Sequence, residues 1–476
     1  MVPLPADFTL AFAATCRRPR PEVLIGGAPL RVLRLSSAGA RLLDGWVEGQ
    51  PVGPGPGAGL LAARLVDGGL AVPVVPPAGP GGPDPLVGAV VIPVRDDPSG
   101  LGTTLAALRS CAPELAVHVV DDGSHRPVET PAGVRLHRRS PSAGPGPSRN
   151  LGVRLASAGG SAPDVIVFVD AGCIPHPGCL AALLAQFRDP GVGAAAPRIT
   201  SRAGPGTRRG LARYETAHSP LDLGPEPAPV RPGGPVPFVP TAVLAVRASA
   251  LAGVGGFDEG LRFGEDVDLV WRLHRAGWRV RYDPAVTASH PARDTYRAWL
   301  RQRFDYGRSA SPLAARHGRD VAPLRVSPWS ATAWGCAAAG RPLAGAALAA
   351  GAAQVLSRRA GADRVVAGDL RRLALGGTAR AAVPLADAVR RAWLPPAAAA
   401  LALTRRYGDR RARFAGAAAA VSVLIGPGWA DWAARRPATG PLRWTAWRLA
   451  DDLAYQAGVW AGVAEARSAA ALLPRW

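Results

Sequence analysis

Short, almost wholly apolar runs separated by amphipathic stretches mark residues 87–169. Residues 87–94 (Val-Gly-Ala-Val-Val-Ile-Pro-Val) end at Arg95-Asp96-Asp97, residues 115–120 end at Asp121-Asp122-Gly123-Ser124, and residues 165–169 end at Asp170. Runs this short, with no polar face, predict strands buried on both sides of a parallel sheet. Helical patterns over 101–110 and 149–158 lie between them, so three βα units follow one another. The fold class expected is α/β, a Rossmann-like doubly wound sheet, whose ligands bind beyond the carboxyl ends of the strands. The acids and glycines collect at those ends.

The flanks carry different patterns. Residues 31–35 alternate like a half-buried strand, residues 40–46 read as a helix, and residues 59–67 read as a second helix closed by Gly68-Gly69. Residues 1–80 are therefore expected to form a small α+β module, joined by a Pro/Gly linker over 73–85. Beyond residue 320 the chain is Ala-rich and helical, with 21 arginines against eight acids. Its apolar blocks (329–356, 393–404, 414–429) are marginal against the roughly 20 clearly apolar residues that a spanning helix needs. The expected division is 1–80, a sheet domain over 86–320, and a helical region over 321–476 resting on a membrane surface.

Composition narrows the classes. With 476 residues, 48% of them hydrophobic, the chain has length for two or three domains and at least one large core. The net charge of +21 would suggest nucleic acid, but every basic residue other than histidine is arginine and none is lysine. That usage, with abundant Ala, Gly and Pro, matches a GC-rich genome. No zinc spacing, RNA-recognition or helix-turn-helix signature accompanies the charge, so no nucleic-acid partner is expected. Five scattered cysteines without CxxC spacing argue against a disulfide framework or zinc site and fit a cytoplasmic active site. No secretory leader pattern opens the chain.

The chemistry concentrates at Gly264-Glu265-Asp266-Val267-Asp268-Leu269, acids at the mouth of a helix whose other face is apolar. A helix start favours the anion, and a carboxylate held there suits a general base. Taken in order, Val-Val-Ile-Pro-Val-Arg-Asp (90–96), Val-Asp-Asp-Gly-Ser (120–124), Gly-Pro-Ser-Arg-Asn-Leu-Gly (146–152), Phe-Val-Asp (168–170), Gly-Gly-Phe-Asp-Glu (255–259) and Gly-Glu-Asp-Val-Asp-Leu (264–269) resemble family 2 glycosyltransferases of the GT-A fold. Arg213-Tyr214-Glu215 with Ser219, Leu221-Asp222-Leu223-Gly224, a loop from Tyr306-Gly307 to Pro312, and Asp451-Asp452-Leu453-Ala454-Tyr455 with Trp460 extend the likeness to the glycosyltransferases of the mycofactocin system. Residues 1–80 resemble the PqqD-like peptide-recognition modules.

The resemblance implies an inverting transfer of glucose from UDP-glucose to premycofactocin, through β-1,4 links. Asp266 would be the base, with Glu265 in support. Pro93, Arg95, Asp96, Asp122, Arg149 and Asp170 would bind the nucleotide sugar, Arg95 by stacking and Asp122 by accepting from the uracil N3–H. The acceptor would lie between residues 238–241 and the Asp266 helix. Mg²⁺ or Mn²⁺ would be held by Asp170 and His290, weakly, because Gly172 stands where the second metal carboxylate is expected. His176 is a further candidate ligand, and Arg301 or Arg303 the alternative cations for the leaving group. Rival readings are a transferase acting at the membrane on a lipid or cell-wall glycan, and a non-catalytic nucleotide- or precursor-binding protein with a decayed metal site.

Overall fold

A computed structural model describes residues 1–76, 87–158, 162–204, 208–359 and 364–475. Its contacts divide the chain into two compact units, residues 1–204 with 218–292 and residues 205–217 with 293–476. The linker expected over 73–85 falls for the most part outside the described residues.

The first unit opens with strands β1 (Thr9–Phe12), β2 (Arg17–Arg20), β3 (Val23–Gly26), β4 (Arg31–Arg34) and β5 (Ala71–Val74). Strand β1 pairs with β5, and β2, β3 and β4 form an antiparallel sheet. The two expected helices are Ser37–Val47, capped by the Ser36 hydroxyl at 3.2 Å from the Gly39 N–H, and Pro56–Gly68, closed by left-handed Gly69. Phe8, Leu24, Leu43, Trp46 and Leu65 pack between helices and strands. Residues 31–35 are covered on one face, as their alternation suggested, with Leu33 and Leu35 packed on this core. Strand β4 lies at a sheet edge, where Leu33 alone of its residues is partly covered.

The main sheet has nine strands: β6 (Gly88–Val94), β7 (Ala116–Asp122), β8 (Arg135–Arg139), β9 (Val165–Val169), β10 (Ile174–Pro175), β11 (Val192–Arg202), β12 (Ala228–Pro229), β13 (Val243–Arg247) and β14 (Arg279–Pro291). They run in the order β8-β7-β6-β9-β13-β11-β14-β10, with β12 on β14. The three expected strands are β6, β7 and β9, mutually parallel through β6. Val90, Ile92, Val167 and Val169 are buried, as continuous apolar runs require. Strand order turns at β6, with β7 to one side and β9 to the other, which opens a crevice where Arg95, Asp96 and Asp170 emerge. Beyond β9 the sheet becomes mixed, since β13 runs antiparallel to both β9 and β11 while β11 and β14 are parallel.

The second unit is helical from Tyr296–Arg308 onward, and the loop expected over Tyr306 to Pro312 is helix as well. Its centre is a set of buried charges. Arg303, 2% exposed, bonds Asp451 through Nε at 3.1 Å and Glu215 through Nη2, while Tyr214 donates to Asp451 at 3.0 Å and the Trp299 indole to Glu215 at 3.0 Å. Arg303, an alternative cation in the sequence reading, is thereby committed to acids inside the helices. The segment 329–356 breaks into Pro328–Ala338 and Pro342–Arg359. Among the described residues one helix, Arg410–Arg435, is long and apolar enough to cross a membrane; its apolar window has mean hydropathy 1.2 and is 11% buried.

Removing one member of a buried ion pair strands its partners, at a cost of about 3–5 kcal/mol. Arg303→Ala is expected to lower stability by that amount in urea unfolding, and an unchanged midpoint would show that Glu215 and Asp451 do not depend on it.

Candidate active site

Strands β6, β7 and β9 deliver the acids to one end of the sheet. Pro93 is half-buried within β6, and beyond it Arg95 and Asp96 are exposed. Asp96 takes a positive φ of 54° at the strand end, held by its N–H to Ser124 Oγ at 2.9 Å and by its carboxylate accepting the His125 N–H at 2.8 Å. That backbone bond, then the His125 ring, holds the Asp96 carboxyl below its ordinary range. Arg95 donates to Ser142 Oγ at 2.9 Å.

Asp122 is buried at the end of β7 and accepts from the Ser142 hydroxyl at 2.7 Å and the N–H groups of Ala143 at 3.1 Å and Gly144 at 2.8 Å. Burial works to raise its pKa, but these bonds together hold it below the usual value. Its first task in this structure is therefore to fold loop 142–144 over the strand ends.

The helix Pro145–Ser157 then presents Arg149, and here the structure departs from the expectation of an open nucleotide contact. Arg149 is 3% exposed, with Nη1 2.8 Å from Glu265 Oε1 and Nη2 2.7 Å from Asp170 Oδ1. Its guanidinium lies over the Phe257 ring, 5.3 Å from the centroid. The neighbouring Asn150 bonds both the N–H and the carbonyl of Phe257, at 2.9 and 2.8 Å, and Glu259 at 3.0 Å. Gly256 permits this approach: φ is +72°, and a Cβ there would sit 2.7 Å from Asn150 Oδ1. The Ser-Arg-Asn and Gly-Gly-Phe-Asp-Glu motifs thus dock on each other.

Helix Glu265–Arg275 carries Glu265, Asp266 and Asp268 in its first turn. Asp268 is occupied by Arg272 at 2.7 Å, whereas half-buried Asp266 accepts the Val267 N–H at 2.8 Å. Burial, followed by the Glu265 charge, pushes the Asp266 carboxyl up to about 7, against the opposing effect of Arg149. Trp271 on this helix bonds the Pro237 carbonyl at 2.7 Å, which fixes residues 238–241; Val239 and Thr241 are buried there.

Asp170 begins a turn tied down by Thr104, whose hydroxyl accepts the Gly172 N–H at 2.9 Å and donates to the Cys173 carbonyl at 2.9 Å. Gly172 has φ +89°, and a Cβ would meet Pro291 Cγ at 2.9 Å. The absent carboxylate therefore has a steric reason, because a side chain here has neither conformation nor room. His290 lies next to Pro291 on β14, with Nδ1 2.8 Å from the Pro291 carbonyl, so ligation would fall to Nε2. His176 bonds Thr287 at 2.7 Å instead. Among the described residues no three His, Cys, Asp or Glu side chains gather as a metal cage. Asp170, 31% exposed, still fits a magnesium-type site, which takes one or two protein carboxylates and completes its shell with phosphate and water.

Residues 165–355 match the model of glycosyl transferase family group 2. The chain is 38% identical over 473 residues to the pre-mycofactocin glycosyltransferase of Mycobacterium tuberculosis, covering 95% of this chain and 94% of the relative. The chain belongs to the pre-mycofactocin glycosyltransferase family. It is 30% identical over 244 residues to an N-acetylglucosaminyltransferase of Rhizobium meliloti, 48% of this chain and 56% of that one. Among solved structures it resembles a Pyrobaculum calidifontis mannosyltransferase with GDP-Man and Mn2+, at 18% identity and TM-score 0.36 over 72% of this chain and 89% of that one.

This glycosyltransferase has a GT-A-type α/β fold with a helical C-terminal region. Sequence reasoning missed Ser142, Thr104, Asn150 and Phe257, which hold the acids in place. For Asn150 and Phe257 a signal existed, as both lie inside the quoted motifs; Thr104 sits in a plain helical stretch and carried none. Gly172→Ala is expected to cost about 1–3 kcal/mol from forced positive φ alone, with activity falling as the Asp170 turn shifts. Urea unfolding with a parallel assay checks this, and a variant of unaltered stability would remove the steric explanation.

Proposed function

We propose that the chain transfers glucose from UDP-glucose to a hydroxyl of premycofactocin with inversion, extending the product through β-1,4 links. The observation that carries this reading is the end-to-end similarity to the pre-mycofactocin glycosyltransferase, joined to a carboxylate with raised pKa at the mouth of the crevice. In the reaction Asp266 takes the acceptor proton, the acceptor oxygen bonds to the anomeric carbon, and the bond from that carbon to the β-phosphate oxygen breaks, its electron pair leaving with UDP. Glu265 keeps the helix start in place. Arg95, exposed beside Pro93 and Asp96, has the flat guanidinium that stacks on a base. Asp122 is the carboxylate we assign to an N–H of uracil, its oxygens also taking the loop bonds and lying 3.5 Å from Arg139. When bound, a divalent cation supplies neutralisation of the leaving diphosphate, with Asp170 and His290 as its protein ligands. Residues 1–80 are the part we assign to the peptide-derived acceptor.

The exposed apolar residues of Arg410–Arg435, among them Phe414, Val421 and Ile425, support contact with the inner face of the cell membrane. Arg410 and Arg411 open that helix and Arg405 and Arg406 close the helix Leu394–Tyr407 before it, and each arginine near an anionic surface contributes about 1 kcal/mol. Cells fractionated in low salt should yield membrane-bound protein that high salt releases; protein in the supernatant under both conditions contradicts surface binding.

Asp266→Asn should cut transfer by about 10² to 10⁴ while UDP binding persists, because a general base acts on the acceptor. A base is competent only when ionised, so kcat/KM should fall about tenfold per unit as pH drops below about 7, and level off above it. Mass spectrometry of premycofactocin incubated with UDP-glucose reads both. An active Asp266→Asn variant removes the base assignment, and an acceptor left unmodified by the native chain removes the substrate assignment.

A further inference from the structure

We propose that Arg149 is a positioning residue that joins the donor side of the reaction to the acceptor side, one guanidinium clamping Asp170 at the end of β9 to Glu265, the residue before the base. The inference rests on the glycosyltransferase reading given above and goes beyond it in removing Arg149 from the nucleotide contacts.

The geometry leaves little else for Arg149 to do. Both terminal nitrogens are spent on carboxylates, at 2.7 and 2.8 Å, and the side chain is 3% exposed. Its Nε is buried and without a partner among the described residues, which closes that edge to a ligand arriving from solvent. The flat face is covered by Phe257, whose backbone Asn150 holds at both its N–H and carbonyl. A guanidinium locked in this way fixes two distant points of the chain, 21 and 116 residues away. One is the carboxylate that emerges into the donor crevice. The other is the first residue of the helix whose second residue is Asp266.

A planar fork meets two carboxylates with two separate nitrogens, whereas an ammonium offers a single nitrogen and less span. The arrangement is also electrostatic. Asp170, Glu265 and Asp266 are three acids in one small volume, and Arg149 is the cation that acts on Asp266 against the other two. Remove it and the base is displaced and more reluctant to ionise.

The test uses the full chain with UDP-glucose and premycofactocin, calorimetric binding of UDP, and amide hydrogen exchange in Glu265–Arg275. Arg149→Gln should lower kcat by about 100-fold, the scale of a misplaced catalytic group, with UDP affinity and donor KM little changed. The acid limb of its kcat/KM profile should move up by about one pH unit. Arg149→Lys should return the limb toward its native position while recovering little of kcat. Because Arg149→Gln strands Glu265, the double variant Arg149→Gln/Glu265→Gln keeps the test open if the single one unfolds; its kcat should match that of Glu265→Gln alone, as expected for coupled residues, and a further loss of about 100-fold overturns the coupling. A loss confined to donor KM and UDP affinity overturns the proposal and restores Arg149 as a nucleotide contact. Native kcat and an unmoved acid limb in Arg149→Gln also overturn it. If the native chain does not turn over UDP-glucose, the functional reading fails separately, and hydrogen exchange decides the clamp: faster exchange at the start of Glu265–Arg275 in Arg149→Gln supports it, unchanged exchange overturns it.

Discussion

The ion bridge from Asp170 through Arg149 to Glu265 is the constraint on which the site depends. Burying a guanidinium is expensive unless its charge and its N–H groups are met, and removing either acid would leave the remainder poorly compensated. The surrounding motifs make sense as the means of meeting that cost. Asn150 holds Phe257 against the guanidinium face, Gly256 lets the two segments come close, and β9 ends so that Asp170 reaches one nitrogen. Short strands and a helix start, far apart in the chain, become one rigid edge of the crevice.

The same device recurs. In the helical unit Arg303 joins Glu215 to Asp451, and in the sheet unit Arg279 joins Asp67 to Asp189. A chain whose basic side chains are arginine and histidine, with no lysine, holds buried acids through a rigid fork instead of a mobile ammonium. The acids are thus paired locally, and the excess behind the net charge of +21 falls largely beyond residue 320, where 21 arginines stand against eight acids.

The sequence made the parallel half of the sheet legible, because strands covered on both faces must be apolar throughout, and β6, β7 and β9 are. It hid β8, whose residues Arg-Leu-His-Arg-Arg lie at a sheet edge and are half exposed. The mixed half was not legible in this way, since direction is set by pairing partners and not by residue type. Motif chemistry located the acids at the strand ends and the helix mouth, but not their partners: Arg149 reads as a surface or nucleotide residue until burial reveals two carboxylates on it. Gly172 looked like a lost ligand, and its positive φ and the nearby Pro291 ring are properties that no linear pattern displays. In the helical unit the family resemblance placed a loop over Tyr306 to Pro312; the chain is helical there, and Gly307 admits the carbonyl of Tyr455 from a neighbouring helix.

The central claim is that a carboxylate on the acceptor side, poised by this bridge, drives a single displacement at the anomeric carbon. The measurement that addresses it most directly is the anomeric configuration of the first product, read by proton NMR after the purified chain has acted on UDP-glucose and premycofactocin. A single displacement from the α-linked donor yields the β-glucoside. An α-glucoside would require a double displacement or front-face attack, and would contradict the account.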